Sequence, residues 1–248
     1  MKTKSPLNKL LADNRGKGLF RIDNASHDEA TVWLYDMIVS DSFWGGVSAI
    51  DFAKQMTAID AKTIHLRIHS PGGEVFAGQA MAQIIREHAA HIIAHIDGYA
   101  ASAASWVALA ADEVVISAGG MIMIHNANTI AYGNARDLQD TAALLEKVDG
   151  ILVATYAEAT GQDPQQIADW MAAETWFTAE EALQYKFADR IAKTPDSAAP
   201  GNAIQWNLTA WSKAPAPPPT NPDGDRPNPV ATVDHLRRRL RLVETQTA

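Results

Sequence analysis

The chain contains no cysteine, which excludes disulfides, thiolate nucleophiles and cysteine-ligated zinc. Positive charge is in short supply: 21 Lys and Arg stand against 29 Asp and Glu, for a formal net charge of −8. A broad nucleic-acid-binding face needs clustered cations, so nucleic acid is not an expected partner. Long hydrophobic runs are also missing. The basic start, MKTKSPLNKLLADNRGKG, has an apolar stretch at 10–12 that is too short for a signal-peptide core, and no later run would span a bilayer. The expectation is a cytoplasmic protein with no membrane partner. There is no GxxxxGK[ST] loop, so any use of ATP has to come from a separate chain.

Proline is scarce up to residue 194 and dense beyond it. Nine of the twelve prolines follow Thr194, seven of them in the stretch APAPPPTNPDGDRPNPV at 214–230. This composition favours a stiff, partly polyproline linker over a packed element. Beyond it, VDHLRRRLRLV places Leu236, Leu240 and Val243 at helical spacing with most arginines elsewhere, the pattern of a short amphipathic helix. The expected organisation is an N-terminal extension (1–29), one main domain (30–193), a Pro-rich linker (194–230) and a short basic helix or tail (231–248). With 47% hydrophobic residues, the main domain can bury a full core.

Inside that domain, strand-like and helix-like segments alternate, which favours an α/β fold. Strands are expected at 30–39, 63–69, 91–96, 113–116 and 121–125. Helices are expected at 47–57, 78–87, 102–111, 135–160, 164–172 and 179–185. In TIHLRIH, Ile64, Leu66 and Ile68 fall on one face and His65, Arg67 and His69 on the other. Thr178 and Glu181 have the spacing of a capping box.

Three segments carry possible chemistry. DGYAASAAS (97–105) runs from a strand into an alanine-rich helix and puts Ser102 at the helix N-terminus, where free backbone N–H groups would stabilise an oxyanion. Gly98 and the alanines at 100, 101, 103 and 104 would let a substrate backbone approach. His125 ends the strand MIMIH, within reach of a nucleophile at a strand mouth. SPGG (70–73) follows a strand, and its two glycines permit positive φ and free amides. Taken singly, each also has a plain structural reading: a helix-capping serine, a hydrogen-bonded histidine, an ordinary turn.

In this order and spacing, SPGG (70–73), GYAAS (98–102), MIHN (123–126) and ETWFTAEEA (174–182), followed by Asp189 and Ile191, resemble the Clp protease proteolytic-subunit family over about 30–192. The resemblance implies a crotonase-like (ClpP-type) stack of βαβ units with a handle helix after His125, and a serine endopeptidase acting without a cofactor or metal. It implies Ser102 as nucleophile, His125 as general base and the amides of Gly73 and Ala103 as oxyanion hole. It also implies a homo-oligomeric ring, and an extended peptide beside Gly72, Glu74, Val75 and Phe76 on one side and Asn126 to Thr129 on the other.

One position departs from the family pattern: where an Asp usually completes the triad, this chain has Glu174, with Asp169 and Asp163 as fallback candidates. The Glu-Thr-Trp motif, FWGG at 43–46 and the tail look more like the Clp-related head maturation proteases of tailed phages. That likeness implies a scaffold or capsid protein as substrate, in the host cytoplasm or procapsid. A subunit served by a separate ATPase is the alternative, and an inactive assembly module a second. A metal site from His65/His69 or His91/His95 is disfavoured, because in a strand those i, i+4 pairs lie roughly 13 Å apart. Ser105 competes with Ser102 but would sit deeper in the helix, away from the free amides.

Overall fold

The computed structural model describes residues 6–23, 26–192 and 204–215. In chain order the elements are α1 (Pro6–Asn14), β1 (Leu19–Asp23), β2 (Glu29–Tyr35), β3 (Ile38–Val39), β4 (Val47–Ser48), α2 (Ala49–Met56), β5 (Thr63–Ser70), α3 (Val75–Glu87), β6 (His91–Ala101) and α4 (Ala103–Ala108). They continue with β7 (Glu113–Ile116), β8 (Met121–Ile124), α5 (Ala135–Thr160), α6 (Pro164–Ala172), β9 (Thr175–Thr178), α7 (Ala179–Gln184) and β10 (Arg190–Ile191). The main sheet has the order β1-β2-β5-β6-β7-β10, with β8 and β9 branching from β6. β1 and β9 run antiparallel to their neighbours, while the remaining main-sheet pairings are parallel.

The alternation in β5 has the expected consequence. Ile64, Leu66 and Ile68 are fully buried in the core, with Val32, Leu34, Ile92, Ala94 and Ile96 from the neighbouring strands. The opposite face of the sheet is aromatic and charged. The Arg67 guanidinium grips the Asp97 carboxylate through two nitrogens, Nε at 2.8 Å, and the Tyr35 hydroxyl donates to the same carboxylate at 2.5 Å. Arg67 also lies over the Trp33 ring, 5.2 Å from its centroid.

Several elements differ from the sequence expectation. The strand expected at 30–39 is two strands, since β2 ends at Tyr35 and β3 joins a separate two-stranded sheet with β4. The helix expected at 47–57 begins at Ala49, capped by the Ser48 side chain. α3 begins at Val75, directly after the glycine turn. β6 extends five residues past the expected end, and α4 is confined to Ala103–Ala108. β8 stops at Ile124, one residue before His125. α5 and α6 match their expected spans, and the Thr178–Glu181 capping box opens α7.

The domain limits shift as well. Residues 1–29 contribute α1 and β1, the latter paired with β2 along its whole length. The compact unit extends to Ala214. Within it, residues 204–214 are no linker: Trp206, Leu208 and Trp211 are buried in a second cluster with Leu10, Met37, Val39, Ala101 and Met123. Three large apolar side chains within six residues supply burial that the surrounding Ala and Pro composition conceals. The rest of the Pro-rich stretch and the Arg-rich helix at 231–248 lie outside the described residues.

Removing Arg67 would leave Asp97 buried with its charge uncompensated. Arg67→Ala is expected to cost about 3 kcal/mol in urea unfolding. Adding Asp97→Asn should recover part of that loss, and a double-mutant cycle measures the coupling.

Candidate active site

The site begins with β6, whose eleven residues serve two partners in turn. Ile93 to Ile96 pair with β7, and Tyr99 to Ala101 pair with β8. The second register matches Ala101 with Met123, and the Ser102 N–H donates to the Met123 carbonyl at 2.8 Å. The ends of the two strands are therefore brought side by side, and the Ser102 Oγ lies 2.7 Å from Nε2 of His125, two residues past Met123. β8 also pairs antiparallel with β9, Ile124 opposite Thr175. One step further along that register, Glu174 comes beside His125. Three neighbouring strand ends thus carry Ser102, His125 and Glu174, with the hydroxyl and the imidazole in contact.

Ser102 sits in the sharp turn between β6 and α4 with φ 54° and ψ −125°. A side chain at positive φ is strained, and such strain persists only where the surroundings enforce it. Here the turn aims the hydroxyl outward at His125. Ser105 plays a supporting part from inside α4, where it is buried, donates to the Ser102 carbonyl at 2.7 Å and pairs with the Tyr156 hydroxyl at 2.8 Å. It fixes the turn from beneath.

The glycine turn closes in from the other side. Gly73 bridges to Ile38, whose N–H and carbonyl are taken by Gly72 O (3.0 Å) and Glu74 N (2.9 Å). This pattern leaves the Gly73 N–H facing away from β3. Among the described residues neither it nor the Ala103 N–H at the start of α4 has a protein acceptor. A Cβ on Gly73 would meet the Ile38 carbonyl oxygen at 1.8 Å, and one on Gly72 would meet Ala101 O at 2.3 Å. Both positions require glycine. By contrast, Gly98 makes room for the His69 ring, and alanines 100, 101, 103 and 104 are buried. Those small residues serve packing, not the substrate approach expected from sequence.

Ser102, His125, Gly73, Glu74, Val75 and Phe76 line one cavity of about 440 Å³, together with residues 127–130, α5 side chains including Leu144 and Val148, and Trp211. The two segments expected to flank a peptide therefore border a common space. Gly72 stands behind Gly73, and the Asn126 N–H is bonded to the Met171 carbonyl at 3.2 Å. The loop after His125 is held by Asp149, whose carboxylate accepts from the Ala127 N–H at 2.7 Å.

Burial pushes the His125 pKa below its ordinary value, against the charge of Glu174 and a backbone bond at Asn126, which raise it. The ring is accordingly neutral near pH 7 and able to accept a proton from Ser102. Glu174 is also at positive φ, 49°. Its carboxylate is turned toward the C-terminal segment, where it accepts from Ser212 N (2.9 Å), Ser212 Oγ (2.7 Å) and Lys213 N (2.5 Å). Burial raises its pKa, but these bonds outweigh that and hold it below the usual carboxylate value. The fallback acids are engaged elsewhere: Asp163 caps α6, and Asp169 accepts from the Gln165 side chain.

The histidine pairs considered for a metal remain apart. Instead His65 and His95, on adjacent strands, approach to 3.0 Å. Among the described residues no group of three or more His, Cys, Asp or Glu is arranged to hold a metal. No helix among them is long and apolar enough to cross a membrane.

A family model for Clp protease matches residues 4–195, and the chain belongs to the Clp protease family. The ATP-dependent Clp protease proteolytic subunit 1 of Protochlamydia amoebophila is 28% identical over 198 residues, spanning 77% of this chain and 90% of that protein. Subunit 1 of Streptomyces avermitilis is 31% identical over 58% of this chain and 68% of its own length. Among solved structures, a ClpP1 mutant from Listeria monocytogenes superposes with a TM-score of 0.58 at 23% identity, covering 67% of this chain and 92% of that one. The fold is thus the ClpP type.

Trp211, Ser212 and Asp149 are the site neighbours that sequence reasoning missed. Two tryptophans, at 206 and 211, inside a stretch otherwise read as linker were the available signal.

The depressed His125 pKa has a measurable consequence. Between that pKa and the ordinary value of 6.5 the unfolded chain binds more protons, so His125 contributes stability at higher pH that is lost as pH falls through its folded pKa. An NMR titration of the His125 ring should have its midpoint below 6.5; a midpoint at or above that value contradicts the burial argument.

Proposed function

We propose that this chain is a serine endopeptidase with Ser102 as nucleophile, His125 as general base and Glu174 as the acid that orients the imidazole. The observation that carries the reading is the 2.7 Å contact between Ser102 Oγ and His125 Nε2, made at paired strand ends beside two unpaired amides. His125 takes the hydroxyl proton as Ser102 attacks a peptide carbonyl. The amides of Gly73 and Ala103 receive the oxyanion, His125 returns the proton to the leaving amine, and water releases the acyl-enzyme. The substrate lies extended between Glu74 to Phe76 and Asn126 to Thr129, with Gly72 supporting the turn beneath it.

The chain works as a homo-oligomeric ring. Leu138, Leu144 and Ile151 on α5, with Ile130 and Tyr132 just before it, are large apolar side chains about half exposed or more, which favours their burial against further copies. For the setting, we favour maturation of a phage scaffold or capsid protein, because 53 residues follow the end of the family match at 195. The relatives' designation as ATP-dependent proteolytic subunits supports the second setting, a peptidase fed by a separate ATPase.

Intact masses of wild type and Ser102→Ala, each incubated alone and with a candidate scaffold protein, test the assignment. Only the wild type should cleave and take up one serine-directed fluorophosphonate, and Ser102→Ala should lose on the order of 10⁴-fold in rate or more. A mutant that cleaves like wild type would place the nucleophile elsewhere. Co-purification with an ATPase ring, with scaffold left intact, would select the second setting.

A further inference from the structure

The C-terminal segment crosses from the end of β5 to the candidate triad and is tied down along the way. His69 Nδ1 accepts from the Tyr99 N–H, so its Nε2 carries the proton donated to the Ile204 carbonyl at 2.7 Å. The Trp206 indole donates to the His69 carbonyl at 3.2 Å. Buried Asn14 on α1 pairs with Asn207 at both ends of its amide, donating to the carbonyl at 3.0 Å and accepting from the N–H at 2.6 Å.

Its far end then occupies the reacting groups. The Trp211 ring packs on His125 with centroids 4.7 Å apart and forms part of the cavity wall that also contains Ser102. Ser212 and Lys213 supply three donors to Glu174, and the Trp176 indole lies at 3.5 Å as a fourth. A carboxylate has about four good acceptor sites. With these donors around it, Glu174 gains little by turning to His125, and no hydrogen bond joins the two.

We propose that residues 204–213 form an intramolecular inhibitory strap: Trp211 covers His125, and Ser212 with Lys213 holds Glu174 out of the triad until the strap's distal end lifts. This inference rests on the serine-peptidase reading. The two ends of the strap differ in a way that suits release. The proximal end is tied through the Ile204 carbonyl, the Trp206 indole and both backbone groups of Asn207. At the distal end the Trp211 indole N–H is buried without a partner, while Ser212 and Lys213 are exposed. A buried unpaired donor weakens the contact that holds it, and the bonds from Ser212 and Lys213 to Glu174, with that of the Lys213 ammonium to the Ala173 carbonyl, lie at the exposed surface where water can replace them. An extended peptide entering between Val75 and Thr129 competes for the cavity that Trp211 borders.

The test uses the full-length chain as wild type, Trp211→Ala and Ser212→Pro, with Ser102→Ala as the labelling control. Proline at 212 removes both the N–H and the hydroxyl that bind Glu174, at an exposed position where the fold should survive even if Trp211→Ala fails to fold. The rate constant for fluorophosphonate labelling, followed by intact mass across pH, should rise at least tenfold in both variants. Its acid limb should move up toward the ordinary histidine value as His125 gains water and a free Glu174. Labelling at the wild-type rate or slower in folded variants, while wild type labels at Ser102, would overturn the strap and leave the peptidase reading standing. No labelling of any folded protein, wild type included, would overturn the peptidase reading and the strap with it.

Discussion

The site depends on the divided pairing of β6. A strand with one partner along its length would carry β7 or β8 beside it, but not both. Because Ile93–Ile96 belong to β7 and Tyr99–Ala101 to β8, the sheet opens a branch at residue 97 or 98. Ser117 marks the divergence, its hydroxyl bonded to the Asp97 carbonyl at 2.9 Å. The branch brings β8 and β9 into register with the end of β6, and that register in turn places residues 102, 125 and 174 at neighbouring strand ends. Hydrogen-bonded strand ends are a rigid support, and positioning on such elements is what the proposed proton transfer over 2.7 Å requires.

Rigidity of this kind has to be sustained against local strain. Of the three non-glycine residues at positive φ among those described, two are Ser102 and Glu174. The surroundings of Ser102 explain how its turn survives. α4 is buried along its whole length, Ser105 bonds back to the Ser102 carbonyl, and Gly78 of α3 lets Ala103 pack closely, a Cβ there meeting Ala103 Cβ at 3.0 Å. The alanines that looked like clearance for a substrate are what allow this close packing, and so what holds the hydroxyl in place. The small residues act on function through the core.

What was readable in the sequence follows from the range of the interactions involved. The alternation in β5, the span of α5, and the Thr178–Glu181 cap are set by neighbours a few residues apart, and local pattern reaches that far. Motif order singled out Ser102, His125 and Gly73, which line one cavity. The division of β6 was not, since nothing in HIIAHIDGYAA signals two partners. The docking of residues 204–214 was hidden for a related reason: Trp206 and Trp211 find their partners, His69 and His125, far earlier in the chain. Composition averaged over a Pro-rich stretch dilutes two aromatic anchors, although each brings as much apolar area as several of its neighbours together.

The departure from the expected acid also makes physical sense in this setting. In the proposed triad, glutamate carries one more methylene than aspartate, and from a backbone at positive φ that extra reach would give the carboxylate two directions. Toward His125 it meets a ring kept neutral by burial, and the pair gains most once the imidazole becomes charged during proton transfer. Toward Ser212 and Lys213 it meets neutral donors that favour its ionised form at once. The resting chain therefore prefers the second orientation, and proton transfer would favour the first. A shorter aspartate would have less freedom to alternate, so Glu174 and the segment that holds it are best understood as one feature.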